Sequence, residues 1–316
     1  MSRVFDAALR PAIAAAARSE RIRRDLTRLP LTERVVRRFI PGETLDDVGV
    51  AIDDRLRNSM AVSVDVLGED TATETQADHM VEAYLALLES MSRIAQPAPG
   101  ALEVSVKLTA LGLRLPEHGP KIAEANTRRI AETAADMGVL VTVDAEDHHS
   151  IADRLRIVRA LRGDFPDLGT VLQAGLRRTE DDCAEFAATG ARIRLCKGAY
   201  AEPATVAFAD RDQIDESYLR CLRILMKGNG YPMVASHDPL IIGAATAIAT
   251  DTERAAGTWE YQMLYGIRTD EQARIAQSAN RIRVYLPYGP EWYGYFMRRL
   301  AEKPANLRLF LRALAG

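Results

Sequence analysis

Short apolar runs alternate with longer amphipathic stretches along most of this chain. The runs predict eight strands, at residues 61–66, 103–108, 140–144, 170–172, 192–196, 233–236, 258–263 and 281–286. The amphipathic stretches predict helices at 76–94, 122–137, 151–161, 179–189, 212–226, 240–251 and 270–278. Strands separated by helices pair in parallel, because a parallel return needs a crossover of a dozen or more residues.

Eight such units predict an α/β fold, a (βα)8 barrel. An open doubly wound sheet is the alternative, but the first strand is not followed by the glycine-rich turn typical of that fold. Before the first strand the pattern predicts helices at 6–26 and 31–39, separated by Leu29 and Pro30. We therefore predict a helical segment over 1–58 and a barrel domain over 59–316.

Polar side chains follow nearly every predicted strand. They are Asp65, Glu69, Lys107, Asp144, Gln173, Arg194, Lys197, Ser236, His237, Asp238, Gln262 and Tyr285. In barrels of this type the chemistry lies at the C-terminal ends of the strands. A charge inside an otherwise apolar strand must be paired or must bind a ligand, since isolated buried charge is costly. The alternative is that these charges only form structural salt bridges. That interpretation becomes weaker because polar residues recur at the end of nearly every strand.

A second cluster lies near the C-terminus. The turn Gly289-Pro290-Glu291 predicts the start of a helix over 292–303 with an aromatic face. Arg298 and Arg299 stand beside that face, where two guanidinium groups suit a carboxylate or phosphate. The spacing fits equally a solvated surface with an Arg298–Glu302 pair.

Composition and motifs exclude several function classes. The net charge of −3 gives no field that would attract nucleic acid, and the three cysteines show no metal-binding spacing and favour a reducing, cytoplasmic setting. The chain shows no run long enough to span a bilayer, no Rossmann glycine motif, no P-loop, no paired metal-binding histidines and no serine elbow. A flavin-binding barrel, a Schiff-base lyase using Lys107 or Lys197, and a non-catalytic interaction module remain.

Seven segments, in order, resemble the proline dehydrogenase family in its monofunctional bacterial form. They are SVKLTA at 105–110, VTVDAED at 141–147, RLCKGAY at 194–200, ASHD at 235–238, EYQMLYG at 260–266, RVYLPYG at 283–289 and WYGYFMRRLAE at 292–302. The resemblance implies a distorted (βα)8 TIM barrel with its final helix over the barrel top. It also implies FAD bound without a Rossmann motif. Ser236 stands where many members have threonine, and Ala201 where some have tryptophan.

The activity implied is oxidation of L-proline to Δ1-pyrroline-5-carboxylate, with hydride passing from proline C5 to flavin N5 and electrons passing on to a quinone. Pyrroline-5-carboxylate dehydrogenase is an implied partner. Peripheral membrane contact through 306–314 is a further expectation, against the favoured alternative of a last helix packed on the core. No metal is implied.

The resemblance also assigns roles by residue. Lys107, Arg298 and Arg299 would hold the substrate carboxylate, Asp144 would pair with Lys107, and Glu69 would pair with Arg298 and close the pocket. A solvated loop acid is an equal alternative for Glu69. The proline ring would be walled by Ala199, Tyr200, Leu264 and Tyr285. The expected contacts of the cofactor are Gln173, Arg194, Cys196, Lys197, Gly198, Ala199, Ser236, His237, Asp238 and Glu302.

Overall fold

The computed structural model describes residues 36–68, 71–94 and 98–302, with backbone alone for 300–302. The predicted helices at 6–26 and 306–314, most of that at 31–39, and Glu69 lie outside the described residues. The predicted division at residue 58 stays a prediction.

Eight parallel strands form a closed barrel in chain order. They are β1 (Ala61–Val66), β2 (Leu102–Val106), β3 (Leu140–Val143), β4 (Gly169–Gln173), β5 (Arg192–Cys196), β6 (Tyr231–Ala235), β7 (Glu260–Leu264) and β8 (Arg281–Tyr288). Each predicted strand is present, with ends shifted by no more than two residues. The barrel closes where β8 pairs with β1, with Val62 opposite Val284, which excludes the open sheet.

Helices accompany the strands along the chain. They are α1 (Leu45–Arg57), α2 (Glu74–Ser92), α3 (Gly119–Asp136), α4 (Ile151–Arg162), α5 (Thr179–Ala188), α6 (Arg211–Lys227), α7 (Pro239–Asp251), α8 (Thr269–Ala276) and α9 (Trp292–Glu302). Helices α1 to α8 form an outer ring around the strands, and α9 follows β8. The seven helices predicted between strands are confirmed as α2 to α8, and the C-terminal helix predicted at 292–303 is confirmed as α9.

Helix α1 has no counterpart among the specific helices predicted before the barrel. A capping box starts it, because the Thr44 side chain accepts from the Asp47 amide while the Asp47 carboxylate accepts from the Thr44 amide. Its buried residues Val48 and Ile52 pack it against β1, β8 and α2. Helix α1 therefore fills the place between α8 and α2 that the helix after β8 takes in a regular barrel.

Helix α9 begins at the C-terminal end of β8, the same end at which the predicted site lies. Its aromatic face packs on the segment before α1, where the rings of Phe296 and Phe39 lie 6.2 Å apart. The Trp292 indole donates to the Glu43 carboxylate at 2.7 Å. Phe296 is fully buried and Trp292 almost so. These contacts hold the start of α9 over that end of the barrel.

The barrel interior is lined with polar side chains. Along β2 the apolar side chains of Val104 and Val106 pack outward into the core beneath the helices, while Glu103, Ser105 and Lys107 point inward. Such alternation of apolar and polar side chains along a strand is common where one face of a sheet is exposed to water. Here the polar face of the strand is turned to the barrel axis, where its charges must be paired.

Candidate functional site

The lower layer of the interior, Glu103, Arg192, Glu260 and Arg283, lies toward the N-terminal ends of the strands. Glu103 accepts from Arg192 at 2.7 Å. Arg283 donates to Glu260 at 2.6 Å and to the backbone carbonyl groups of Val62 and Gly100 at 2.8 and 2.7 Å. All four side chains are at least nine-tenths buried. This layer is a buried ion-pair network beneath the site.

Arg194 on β5 joins this layer to the one above. Its guanidinium donates to Glu103 at 2.6 Å, to Asp144 at 2.7 Å and to Gln262 at 2.5 Å. Burial would lower its pKa, but the carboxylates of Glu103 and Asp144 outweigh burial and raise it. Arg194 is therefore a fixed positive charge below the mouth of the barrel.

The upper layer consists of Asp65 on β1, Lys107 just after β2, Asp144 just after β3 and Tyr285 on β8. The Lys107 ammonium lies 2.6 Å from Asp65 Oδ2 and 3.8 Å from Asp144 Oδ2. The Tyr285 hydroxyl donates to Asp144 Oδ2 at 2.8 Å, and its ring lies 5.3 Å from the Arg194 guanidinium carbon. Burial, followed by the charge of Asp144, raises the pKa of Tyr285 well above its usual range, so the phenol stays protonated.

The expected pairing of Asp144 with Lys107 is present as the longer of two contacts. The shorter one belongs to Asp65, which the sequence analysis placed at a strand end without assigning it a role. Asp144 is engaged instead by Arg194 and Tyr285. The structure thus brings together Lys107, Asp144, Arg194 and Tyr285 and adds Asp65 to them.

The ends of β4 and β5 form an open rim beside this cluster. The Gln173 side chain is buried, and its Oε1 has no hydrogen-bond partner among the described residues. Gly198 has φ +101°, a conformation that suits glycine, and residues 198–200 are exposed. Burial raises the pKa of Cys196 to about 11, so its thiol is not a reactive thiolate. The rim offers an unused acceptor next to open backbone.

Lys197 and the residues after β6 form a second part of the rim. The Lys197 ammonium lies 2.5 Å from Asp215 and 2.8 Å from Asp238. Asp238 also caps α7, where it accepts from the Leu240 amide, and Ser236 Oγ accepts from the Asp238 amide. His237 Nε2 accepts from the Leu264 amide at 2.9 Å, which ties β7 to this loop.

The loop after β3 is linked to two neighbouring loops, a feature not predicted from the sequence. Glu146 accepts from the Thr109 amide at 3.1 Å and Asp147 from Arg114 at 2.5 Å, both in the loop after β2. His148 bonds through its amide and its ring to Glu202 in the loop after β5. These three consecutive residues hold the loops that surround the upper layer.

The two arginines of α9 differ in exposure. Arg298 is exposed, whereas Arg299 is half-buried with its guanidinium carbon 5.1 Å from the centre of the Tyr295 ring. Glu69 and the Glu302 side chain lie outside the described residues. The substrate-binding and cofactor-binding roles expected for all these residues stay predictions.

Within residues 36–68, 71–94 and 98–302, no group of three or more histidine, cysteine or carboxylate side chains could hold a metal ion. Among those same residues, no helix has the length and apolar character required to cross a membrane.

Comparison with known proteins gives a consistent result. The family model described as proline dehydrogenase matches residues 50–311. Proline dehydrogenase 1 of Bacillus subtilis is 34% identical over 278 residues, covering 88% of this chain and 90% of its own length. The proline dehydrogenase of Deinococcus radiodurans is 36% identical over 279 residues, covering 88% and 89%.

A solved structure agrees with these sequence relatives. Proline utilization A from Bdellovibrio bacteriovorus, inactivated by N-propargylglycine, superposes with a TM-score of 0.78 at 26% identity. The match covers 86% of this chain and 33% of that protein, so the chain spans about a third of its length. A second, bifunctional proline utilization A protein superposes with a TM-score of 0.73 at 22% identity, which shows the shared fold.

Proposed function

This chain belongs to the proline dehydrogenase family of oxidoreductases, and on that premise we propose that it oxidises L-proline to Δ1-pyrroline-5-carboxylate with bound FAD. The observation that carries the proposal is the upper layer. Lys107, Asp144, Tyr285 and the buried Arg194 meet where barrel enzymes hold their substrates. Beside them lies a rim with an unused hydrogen-bond acceptor.

The rim residues fit a flavin. The unpartnered Gln173 Oε1 would accept from a ring N–H, and the open backbone at Gly198 would let a flat ring approach. Arg194 places positive charge below the rim, which favours an anionic reduced ring. When bound, FAD supplies the acceptor for the hydride of proline C5.

The rest of the rim would hold the remainder of the cofactor. These contacts are Cys196, Lys197, Ala199, Ser236, His237, Asp238 and Glu302. Asp238 forms an ion pair with Lys197, so we assign it to holding the lysine toward the pyrophosphate. The hydrogen bond from Lys197 holds the pKa of Asp238 below its usual value and keeps it a carboxylate.

The substrate would be oriented by its carboxylate. Lys107, Arg298 and Arg299 supply three positive charges, and fixing the carboxylate turns proline C5 toward the flavin, a proximity effect. Tyr285, Leu264, Ala199 and Tyr200 would wall the ring, with Glu69 closing the pocket. The amine must be neutral before hydride leaves, and the nearby cations depress the amine pKa through like-charge repulsion.

The electron acceptor and partners are part of the same proposal. We assign a quinone as the acceptor of the flavin electrons and pyrroline-5-carboxylate dehydrogenase as the enzyme that takes the product, in a cytoplasmic setting. Both assignments rest on family membership. The candidate membrane contact at 306–314 lies outside the described residues.

The visible spectrum of the purified protein tests the proposal. We expect a yellow protein that releases noncovalent FAD on denaturation and that L-proline bleaches in the absence of oxygen. A colourless protein that cannot be reconstituted with FAD contradicts it.

Borohydride trapping separates this function from the lyase alternative. A Schiff-base enzyme using Lys107 or Lys197 would become covalently labelled when reduced in the presence of a carbonyl substrate. We expect no such labelling with the product Δ1-pyrroline-5-carboxylate. The short Lys107–Asp65 and Lys197–Asp215 contacts support this expectation, because they favour charged lysines, which are not nucleophiles.

A further inference from the structure

Asp65, at the C-terminal end of β1, is a buried acid that the proposed reaction does not use. Its side chain has no solvent exposure, and its Oδ2 lies 2.6 Å from the Lys107 ammonium. Its Oδ1 has no hydrogen-bond partner among the described residues. A buried carboxylate oxygen without a partner costs folding free energy. Stability alone therefore does not explain this residue.

The neighbouring acid Asp144 already carries a full set of contacts. Its Oδ1 accepts from Arg194 at 2.7 Å and from Ser105 at 2.8 Å, and its Oδ2 accepts from Tyr285 at 2.8 Å. The Lys107 ammonium lies 3.8 Å from that same Oδ2. Without Asp65, the lysine would turn to this oxygen and compete with the tyrosine hydroxyl for it.

We propose that Asp65 is a positioning residue that holds the Lys107 ammonium away from Asp144, so that Lys107 faces the substrate carboxylate and Asp144 stays with Arg194 and Tyr285. The inference rests on the proposed function, in which Lys107 receives the carboxylate of proline. Asp65 thereby gives Lys107 an acid of its own. Without it, Lys107 and Arg194 would share one acid, Asp144.

The surroundings of Asp65 determine the effect of removing its charge. The groups that face it are Lys107 on the end of β2, Asp144 after β3, Tyr285 and Tyr288 on β8, and Tyr84 on α2. Burial raises the pKa of Asp65, against the attraction of Lys107. A raised pKa means that this acid adds stability below its unfolded value of 3.8 and loses it as pH rises through the folded pKa. At neutral pH its charge is therefore a cost to folding.

The variant Asp65→Asn tests the positioning role. We expect KM for proline to rise about tenfold, as for the loss of one well-placed charged contact, with a smaller change in kcat. The thermal midpoint should stay at or above that of the wild type, because Lys107 keeps Asp144 as a partner. Asp65→Glu, which keeps the charge but displaces it, should restore part of the affinity.

Asp182→Asn is the matched control. Asp182 is a buried acid on the outer helix α5, where it pairs with Arg178 at 2.8 Å. Its removal should lower the thermal midpoint and leave KM for proline unchanged. An effect on KM but not on stability at Asp65, with the opposite at Asp182, distinguishes positioning from a structural role.

Lys107→Met supplies the second arm. Because Asp65 acts through Lys107, adding Asp65→Asn to Lys107→Met should not raise KM further. An equal rise in both backgrounds overturns the inference, as does an unchanged KM in Asp65→Asn. The plot of 1/KM against pH should lose, in Asp65→Asn, the acid limb that protonation of Asp65 gives the wild type.

The two proposals fail differently. A wild type that binds FAD but does not oxidise proline contradicts the proposed function. The thermal measurements then still show whether Asp65 is a stabilising acid: a midpoint in Asp65→Asn lowered as far as in Asp182→Asn overturns the inference by itself, whereas an unchanged or raised midpoint shows an acid retained at a cost to folding.

Discussion

The two ends of the barrel interior both contain buried charges, but they differ in how completely the acceptor oxygens are hydrogen-bonded. In the lower layer each acid uses both oxygens: Glu103 accepts from Arg194 and Arg192, and Glu260 accepts twice from Arg283. In the upper layer Asp65 has one oxygen with no partner among the described residues, and so does Gln173 on the rim. In the lower layer both acids therefore use all their oxygens, whereas the upper layer and the rim each keep an acceptor with no partner among the described residues.

The pKa values of these buried acids shift in opposite directions, because their cations differ in number. Burial alone would raise the pKa of Glu103, but Arg283, Arg194 and Arg192 together hold it well below its usual range. Glu260 is lowered in the same way, chiefly by Arg283. Asp65 has a raised pKa, because a single lysine does not offset its burial. The charges of Glu103 and Glu260 therefore stabilise the fold at neutral pH, whereas the charge of Asp65 costs stability.

The largest expected effect follows from breaking the lower layer. Arg283→Met removes the closest cation from Glu260, which keeps hydrogen bonds from Gln262 and Tyr231, and it removes the arginine from the carbonyl groups of Val62 and Gly100. We expect a loss of about 3–5 kcal/mol in the free energy of unfolding, the usual result of removing one partner of a buried ion pair. Denaturant unfolding measures the loss, and KM for proline should stay within about twofold of the wild type, well under the tenfold that 1.4 kcal/mol represents.

The same variant has a predicted pH dependence. The lowered pKa of Glu260 contributes stability above its unfolded value of 4.5, and this is lost as pH falls through the folded pKa. The gap in stability between wild type and Arg283→Met should therefore be widest near neutral pH and should narrow below 4.5. A gap that is constant from pH 7 to pH 3 would show that the arginine acts through packing alone.

The next effect belongs to the mouth of the barrel. Arg298→Met or Arg299→Met should raise KM for proline roughly 10- to 150-fold, since a charge-assisted bond to a carboxylate contributes about 1.5–3 kcal/mol. Stability should change little for Arg298, which is exposed. Lysine at either position should rescue only in part, because it lacks the planar fork.

Arg220→Met, on the outer helix α6, is the control for these variants. Arg220 is an exposed arginine paired with Glu180 at 2.8 Å, and its loss should leave steady-state kinetics unchanged. Unchanged KM in both α9 variants would show that the arginine pair is a surface feature.

The smallest effect concerns substrate choice at Tyr285. Proline and 4-hydroxyproline differ by one hydroxyl next to the reactive carbon, and a largely apolar wall rejects an extra hydroxyl by only about 100-fold. Tyr285→Ser should lower kcat/KM for proline and narrow or reverse the preference, because it opens space and offers a hydrogen-bond partner. Tyr285→Phe keeps the wall and serves as the control. A ratio of kcat/KM values unchanged in Tyr285→Ser means that this side chain does not line the ring pocket.

Most of the fold could be predicted because each strand and helix carries its own pattern. Helix α1 was missed as a specific helix although the signal exists: Thr44 and Asp47 have capping-box spacing, and Val48 and Ile52 repeat one turn apart. Its place in the outer ring could not be predicted, since it depends on α9 leaving that place.

The site was predictable in position and unpredictable in pairing. Period two along the strands shows that Glu103, Ser105 and Lys107 share a face, but not that this face is the barrel interior. The partner of Lys107 lies 42 residues away at Asp65, and that of Arg194 lies 91 residues away at Glu103. Such contacts form only when the barrel closes. The sequence pattern offers several candidate acids for each cation and does not show which of them will be its partner.

The pairing of β1 with β8 determines the order in which the barrel can form during synthesis of the chain. Val62 and Val284 face each other across about 220 residues of sequence, so the first strand made must wait for the last before either has both neighbours. Asp65 and Lys107 emerge early, whereas Tyr285 and the arginines of α9 come last. A nascent chain that stops short of β8 would expose an unpaired strand edge and lack Tyr285 in the upper layer, so the barrel and that layer are complete only after β8 has been made.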